Sequence, residues 1–195
     1  MIAIDCDRPV HHQSSFRIPR GKFEVTDPTT TTGADLAAAL KTAMRGFAQS
    51  VTIITTVDDD GIRYAMAATA VTPLSMDPPS MLICVNRSVS SYKILEGGSN
   101  FCINILGVNQ EDVAQCCGGG AKGEERFAVG DWQTDEHGLP FLASGQAAIS
   151  CHQRERISYG SHDIFIGDVQ TVRLAGAVDP LIYLDGAYRR IGPKL

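Results

Sequence analysis

The sequence predicts a mainly β protein, a closed or nearly closed antiparallel β-barrel with flanking helices. Two observations predict it. Apolar, β-branched runs recur along most of the chain, separated by short turns rich in Gly, Asp and Pro. The last third offers no helical segment, whereas a parallel sheet needs a helix after nearly every strand. At 195 residues the chain is long enough to bury a core without disulfide or metal staples.

Each element has its own warrant. Leu36, Leu40, Met44 and Phe47 recur at helical spacing with alanines between them, predicting an amphipathic helix over 34–48. Residues 51–57 are rich in Val, Ile and Thr and stop at Asp58-Asp59-Asp60-Gly61, so they read as a strand entering a hairpin that returns over 62–71. Pro78-Pro79 reads as a breaker, followed by a strand over 81–85 and a short helix over 91–96 that Gly97-Gly98 ends. A strand is expected over 101–106, a helix over 110–117, and a Gly-rich, charged loop over 118–138. Strands about 146–157, 162–174, 181–185 and 187–191 complete the chain. Residues 1–33 lack sustained periodicity and are expected to form an extended or disordered arm, leaving 34–195 as one domain.

Composition excludes several classes. With 44% hydrophobic and 20% charged residues and a net charge of -5, the chain lacks the basic face that nucleic acid or an anionic membrane requires. No run approaches the ~20 apolar residues of a membrane-spanning helix. Asp5 and Asp7 stand where a secretory signal would place an apolar core, so a cytoplasmic protein is expected. The six cysteines are scattered without zinc spacing, and reduced thiols with no metal are expected.

Two motifs mislead. Gly118-Gly119-Gly120-Ala121-Lys122-Gly123 fits the dinucleotide pattern, but that chemistry needs a strand before it and a helix after it, and here a helical segment precedes it. Ser161-His162-Asp163 contains the members of a hydrolase triad, yet adjacent residues cannot supply triad geometry.

Three segments carry chemistry. The small side chains of Ala68, Thr69, Ala70, Val71 and Thr72, with Ser75 beyond, allow a flat ring to lie against a strand whose amides and carbonyls bond its polar rim. The same residues also suit a strand packed closely against a neighbour. Asn86, Arg87, Ser88 and Ser90 at a strand end entering a helix suit a phosphate, and equally suit serine capping beside an exposed arginine. His162 opens an apolar strand just after a turn, where it can stand at a pocket rim or serve structure alone.

Together and in this order, these segments resemble the flavin reductase family with the FMN-binding split-barrel fold, the reductase components of two-component flavin monooxygenases. The resemblance begins at Met44-Arg45-Gly46-Phe47 and runs through residues 68–75, Pro78-Pro79 and residues 86–90. It ends with His162-x-x-x-x-Gly167 and Tyr183-Leu184-Asp185-Gly186-Ala187-Tyr188-Arg189, and so covers about residues 38–192. It implies an antiparallel split barrel holding FMN or FAD, with the ring against Thr69, Ala70, Val71 and Thr72. Ser75, Asn86, Arg87, Ser88 and Ser90 would hold the ribityl chain and phosphate, and Lys122, Arg126 and Phe127 would close over the cofactor. His162 would orient NADH or NADPH, with Tyr188 and Arg189 beside the same pocket. A homodimer is implied, as is a separate flavin-dependent monooxygenase that accepts the reduced flavin. Other outcomes left open are electron transfer to ferric iron or a corrinoid, and a flavin-binding module without reductase activity. The chain departs from the family pattern at Gln49-Ser50, where Thr-Gly is common, and at Ser161, where an aspartate is common.

Overall fold

Residues 30–192 are described in a computed structural model. A division falls between Leu36 and Ala37, and the larger compact unit begins at Ala37. The expected N-terminal arm falls, up to residue 29, outside the described residues. Helix α1, Leu36–Met44, forms where the periodicity placed it, but it buries none of its residues.

A seven-stranded antiparallel sheet organises the larger unit. Strand β1, Gln49–Ser50, precedes the predicted hairpin of β2, Thr52–Val57, and β3, Arg63–Ala68. Its turn is built as the Asp-rich sequence suggests: Asp58 Oδ1 accepts the Asp60 and Ile62 amides at 3.1 and 2.8 Å, and Gly61 takes a φ of 80°. After β4, Val71–Met76, come β5, Pro79–Asn86, helix α2, Tyr92–Glu96, and β6, Phe101–Ile105. Helix α3, Glu111–Gln115, runs into a π turn at Cys116–Gly120. The strands β7, Trp132–Thr134, and β8, Pro140–Leu142, pair locally. The long strands β9, Ala147–Tyr159, and β10, His162–Leu174, are followed by β11, Ile182–Leu184, and β12, Ala187–Arg189. The large sheet runs β3-β2-β6-β9-β10-β5-β4, and β1, β11 and β12 form a small one.

The expected antiparallel split barrel is borne out: β3 and β4 are opposite edges of the large sheet, so the wall is split rather than closed. Three other expectations are corrected. The single return strand expected over 62–71 is two strands, and Thr69-Ala70 carries the chain across that split. Pro78-Pro79 does not end pairing. It turns β4 into β5, because a proline at the first position of a strand forfeits no ladder bond. The region 118–138, read as loop, also contains a 3-10 turn at Gly123–Phe127 and the strand β7.

Alternation along β2 and β3 buries both faces. Ile54 and Met66 join Ile83, Val85, Leu95, Phe101 and Phe165 inside the curl of the sheet. Ile53 and Ala65 join Leu106, Val113, Phe127 and Leu181 on the other face. Each fully buried large apolar side chain contributes ~1.5–3 kcal/mol. Gly167 belongs to this packing: a Cβ there would stand 2.8 Å from the Phe101 ring and 2.9 Å from Cys151. Among the described residues no helix is long and apolar enough to cross a membrane.

Candidate functional site

Several of the expected site residues collect at the split. A cavity of about 590 Å³ opens at that end of the barrel, floored by Ile103, Ile149 and Val169 and bordered by Thr69, Val71 and Ser75. A second cleft, lined by Phe47 and Tyr183, meets it at Gln49 and Thr69. Being terminal, β4 pairs on one side only, which leaves main-chain donors and acceptors along its outer edge. Ala70 and Thr72 face solvent there. The Ser75 hydroxyl already accepts the Asp77 amide at 3.0 Å, so it shapes the β4–β5 turn as well as the cavity wall.

Strand β5 runs past the start of β4. The Cys84 amide donates to Ala70 O at 3.0 Å, and the strand continues to Asn86. Arg87 therefore lies roughly 10 Å further along the same edge, at ~3.4 Å per residue. Asn86 Oδ1 accepts both the Ser88 amide, at 2.9 Å, and the Ser88 hydroxyl, at 2.8 Å, so both side chains are engaged in shaping the loop. Ser90 is exposed. Helix α2 has only five residues, and Ser91 before it turns its hydroxyl to Met66 Sδ rather than capping. A dipole that short adds little, so attraction for an anion at this loop rests on Arg87.

Strand register brings His162 to the same place, opposite Asn86 on β5 and Tyr159 on β9. Its Nδ1 lies 2.9 Å from Ser161 Oγ, so the hydroxyl occupies the place where the family pattern has a carboxylate. Asp163 points the other way, into the core, and is completely buried. Arg87 Nε donates to its Oδ1 at 2.7 Å and the Tyr92 hydroxyl to its Oδ2 at 3.0 Å, with Arg156 Nε 3.6 Å away. Burial alone would raise the Asp163 carboxyl. The hydrogen bonds from Arg87, Tyr92 and Ser158 outweigh it and hold the group below the ordinary aspartate value. Sequence reasoning missed both Asp163 and Tyr92, because only strand register turns Asp163 inward and only the packing of helix α2 brings the Tyr92 hydroxyl to it.

The remaining candidates form a second group. Phe127 is buried on the opposite face of the sheet, edge-on to Trp132 and beneath the Arg63 guanidinium. Arg126 donates to the carbonyls of Ala121 and Ala65 and so ties its segment to β3. Lys122 is exposed. Tyr188 packs edge-on against Tyr183, half-buried beside the same core, and burial raises its hydroxyl pKa; Arg189 is exposed. Within one chain these five residues are not brought onto the β4–β5 edge.

Residues 44–192 match the family described as flavin reductase like domain. The chain belongs to that family. It is 37% identical over 153 residues to the FMN reductase (NADH) RutF of Pseudomonas syringae pv. syringae (strain B728a), covering 78% of this chain and 85% of that one. It is 34% identical over 154 residues to the reductase component of the FADH(2)-dependent resorcinol hydroxylase of Rhizobium sp. (strain MTP-10005), covering 78% and 86%. The solved structure of the NADH:FAD oxidoreductase SgcE6 of Streptomyces globisporus C-1027 superposes with a TM-score of 0.77 at 26% identity, covering 85% of this chain and 99% of that one. As a flavin reductase family member, the chain has a physical reason for its His-x-x-x-x-Gly motif. His162 sits on the outer face of β10, and Gly167 clears the Phe101 ring five residues on.

Proposed function

We propose that this chain is an NADH-dependent flavin reductase that binds FMN or FAD along the β4–β5 edge and supplies reduced flavin to a separate monooxygenase. One observation carries the reading. The small-residue crossing at Thr69-Ala70 and the Arg87 guanidinium lie on one sheet edge, separated by a span that a ribityl chain with its phosphate can bridge, above a largely apolar cavity. These residues fit the cofactor: unpaired strand-edge groups suit the polar rim of a ring, and the Nη atoms of Arg87 make no hydrogen bond among the described residues. The relatives named as NADH-dependent FMN reductase and as a hydroxylase reductase component support the same donor and acceptor.

When bound, the flavin supplies the ring that accepts hydride from the nicotinamide. The chain's own work is orientation and exclusion of water. Thr69, Ala70, Val71 and Thr72 offer backbone groups to the ring, while Arg87 and the loop hydroxyls hold the anionic end. His162, exposed on the outer face, orients the nicotinamide.

The chain works as a homodimer. On the outer face, Leu82, Cys84, Ile164 and Ile166 are only half-buried, while Ile157, opposite Ile164, and Tyr159, opposite His162, are 52% and 85% exposed. Helix α1 leaves Leu40 and Met44 exposed as well. An apolar sheet face next to His162 suits a second copy, which would also enclose the cofactor.

An anaerobic titration tests the reading: protein with FMN or FAD, then NADH or NADPH, followed by bleaching of the oxidised-flavin absorbance. Bleaching well above the protein-free rate is expected. Bound flavin that stays oxidised would leave a binding module, and absence of flavin binding would overturn the reading.

A further inference from the structure

We infer that Asp163 is a positioning residue: it holds Arg87 so that the chain selects flavins that carry a phosphate. The inference rests on the flavin reading above. A fully buried carboxylate is expensive unless it is paired, and here the pairing has a direction. Arginine presents five N–H donors in a rigid planar fork. Asp163 takes the Nε–H alone, at 2.7 Å, which fixes the plane of the guanidinium from its inner side. Both terminal nitrogens are left without a hydrogen bond among the described residues, on a side chain that is 42% exposed. The backbone is fixed too, since the Arg87 amide donates to Ser161 O at 3.1 Å and ties the loop to the β9–β10 turn.

A carboxylate beside the arginine would by itself weaken attraction for an anion. The surrounding charges answer that: Arg156 lies against both Asp163 and Glu96, and Lys93 pairs with Glu96. Three cations (Arg87, Lys93, Arg156) stand against two carboxylates (Asp163, Glu96), so the cluster keeps a positive excess. A guanidinium held in place loses little freedom on binding, and its two free nitrogens match two phosphate oxygens.

The test measures dissociation constants for FMN and for riboflavin, by quenching of flavin fluorescence, in the wild-type chain, Asp163→Asn, Arg87→Ala and the double variant. Asparagine keeps the volume and an acceptor but removes the charge. FMN is expected to bind about tenfold more weakly to Asp163→Asn while riboflavin changes less than about twofold, and Asp163→Asn is expected to add nothing once Arg87 is alanine. Equal weakening of both flavins, unchanged FMN binding, or a full Asp163→Asn effect in the Arg87→Ala background would each overturn the inference. Should Asp163→Asn fail to fold, Arg87→Lys serves instead. It keeps the charge and loses the Nε–H, so wild-type FMN affinity in that variant would count against the inference. A wild-type chain that binds neither flavin would overturn the flavin reading itself, a distinguishable result.

Discussion

Two buried carboxylates on opposite sides of the sheet show how this chain divides structure from chemistry. Asp135, in the β7–β8 hairpin, accepts the amides of His137 and Leu139, each at 2.9 Å, and the Ser150 hydroxyl at 2.7 Å. Two of its three partners belong to its own hairpin, and the third lies on the neighbouring wall. Asp163 also lies inside, but its partners are side chains, and the most tightly held of them, Arg87, reaches out to solvent. One carboxylate closes a turn; the other aims a cation. The lesson is that burial alone does not separate a structural acid from one that serves a site. The chemistry of the partner does.

The sharpest way to break that comparison is to remove each acid and ask which property falls. Asp135→Ala strands two backbone amides and a hydroxyl, and is expected to lower unfolding stability by about 2–4 kcal/mol. The folded fraction should bind FMN as the wild type does. Chemical denaturation with flavin titration below the transition checks both, and a loss of FMN affinity without a loss of stability would erase the contrast. Next in size is His162→Ala. It removes a solvent-facing side chain, so stability should hold, while turnover with NADH falls about tenfold to a hundredfold and flavin affinity is spared. Unchanged steady-state kinetics would remove His162 from the site.

How much of this was legible in the sequence depends on the range of the signal. The β2–β3 hairpin was readable because Asp58 and Gly61 state the turn locally and the Val/Ile/Thr run states the strand. Strands β7 and β8 were not, because three residues are too few to show a period. Pro78-Pro79 was misread because the rule against proline in strands concerns interior positions, and β5 starts at Pro79. The ring and phosphate segments were visible as residue types, and their placement on one edge required the split between β3 and β4, which is a long-range property. Asp163 was hidden for a related reason. In the sequence it completes a false triad, and only its register with Val85 turns it inward to Arg87.

The comparison is sharpened by acid. Because the folded Asp163 carboxyl lies below its ordinary value, its stabilising contribution is complete above the unfolded aspartate range, about pH 4, and is lost as pH falls through the lower folded value. Arg87, Tyr92 and Arg156 face it, and none of them is expected to change charge there. Thermal stability and FMN affinity should therefore decline together below about pH 4, and the part of that decline due to Asp163 should be missing from Asp163→Asn. Parallel acid profiles in the two proteins would mean that the charge on Asp163 does not hold the loop.

The smallest expected effect concerns Ser161, and it separates the aimed cation from its neighbour. Its hydroxyl lies 2.9 Å from His162 Nδ1 on an exposed turn, where a neutral hydrogen bond contributes ~0.5 kcal/mol. The Ser161 carbonyl, which a side-chain substitution leaves in place, still accepts the Arg87 amide. Ser161→Ala should thus lower kcat/KM for NADH by less than about threefold and leave the FMN dissociation constant where it was. A larger loss confined to NADH would mean that the hydroxyl fixes the imidazole as firmly as a carboxylate would. A loss in FMN affinity would instead mean that the turn and the Arg87 loop move as one body, so that Asp163 is not alone in holding the guanidinium.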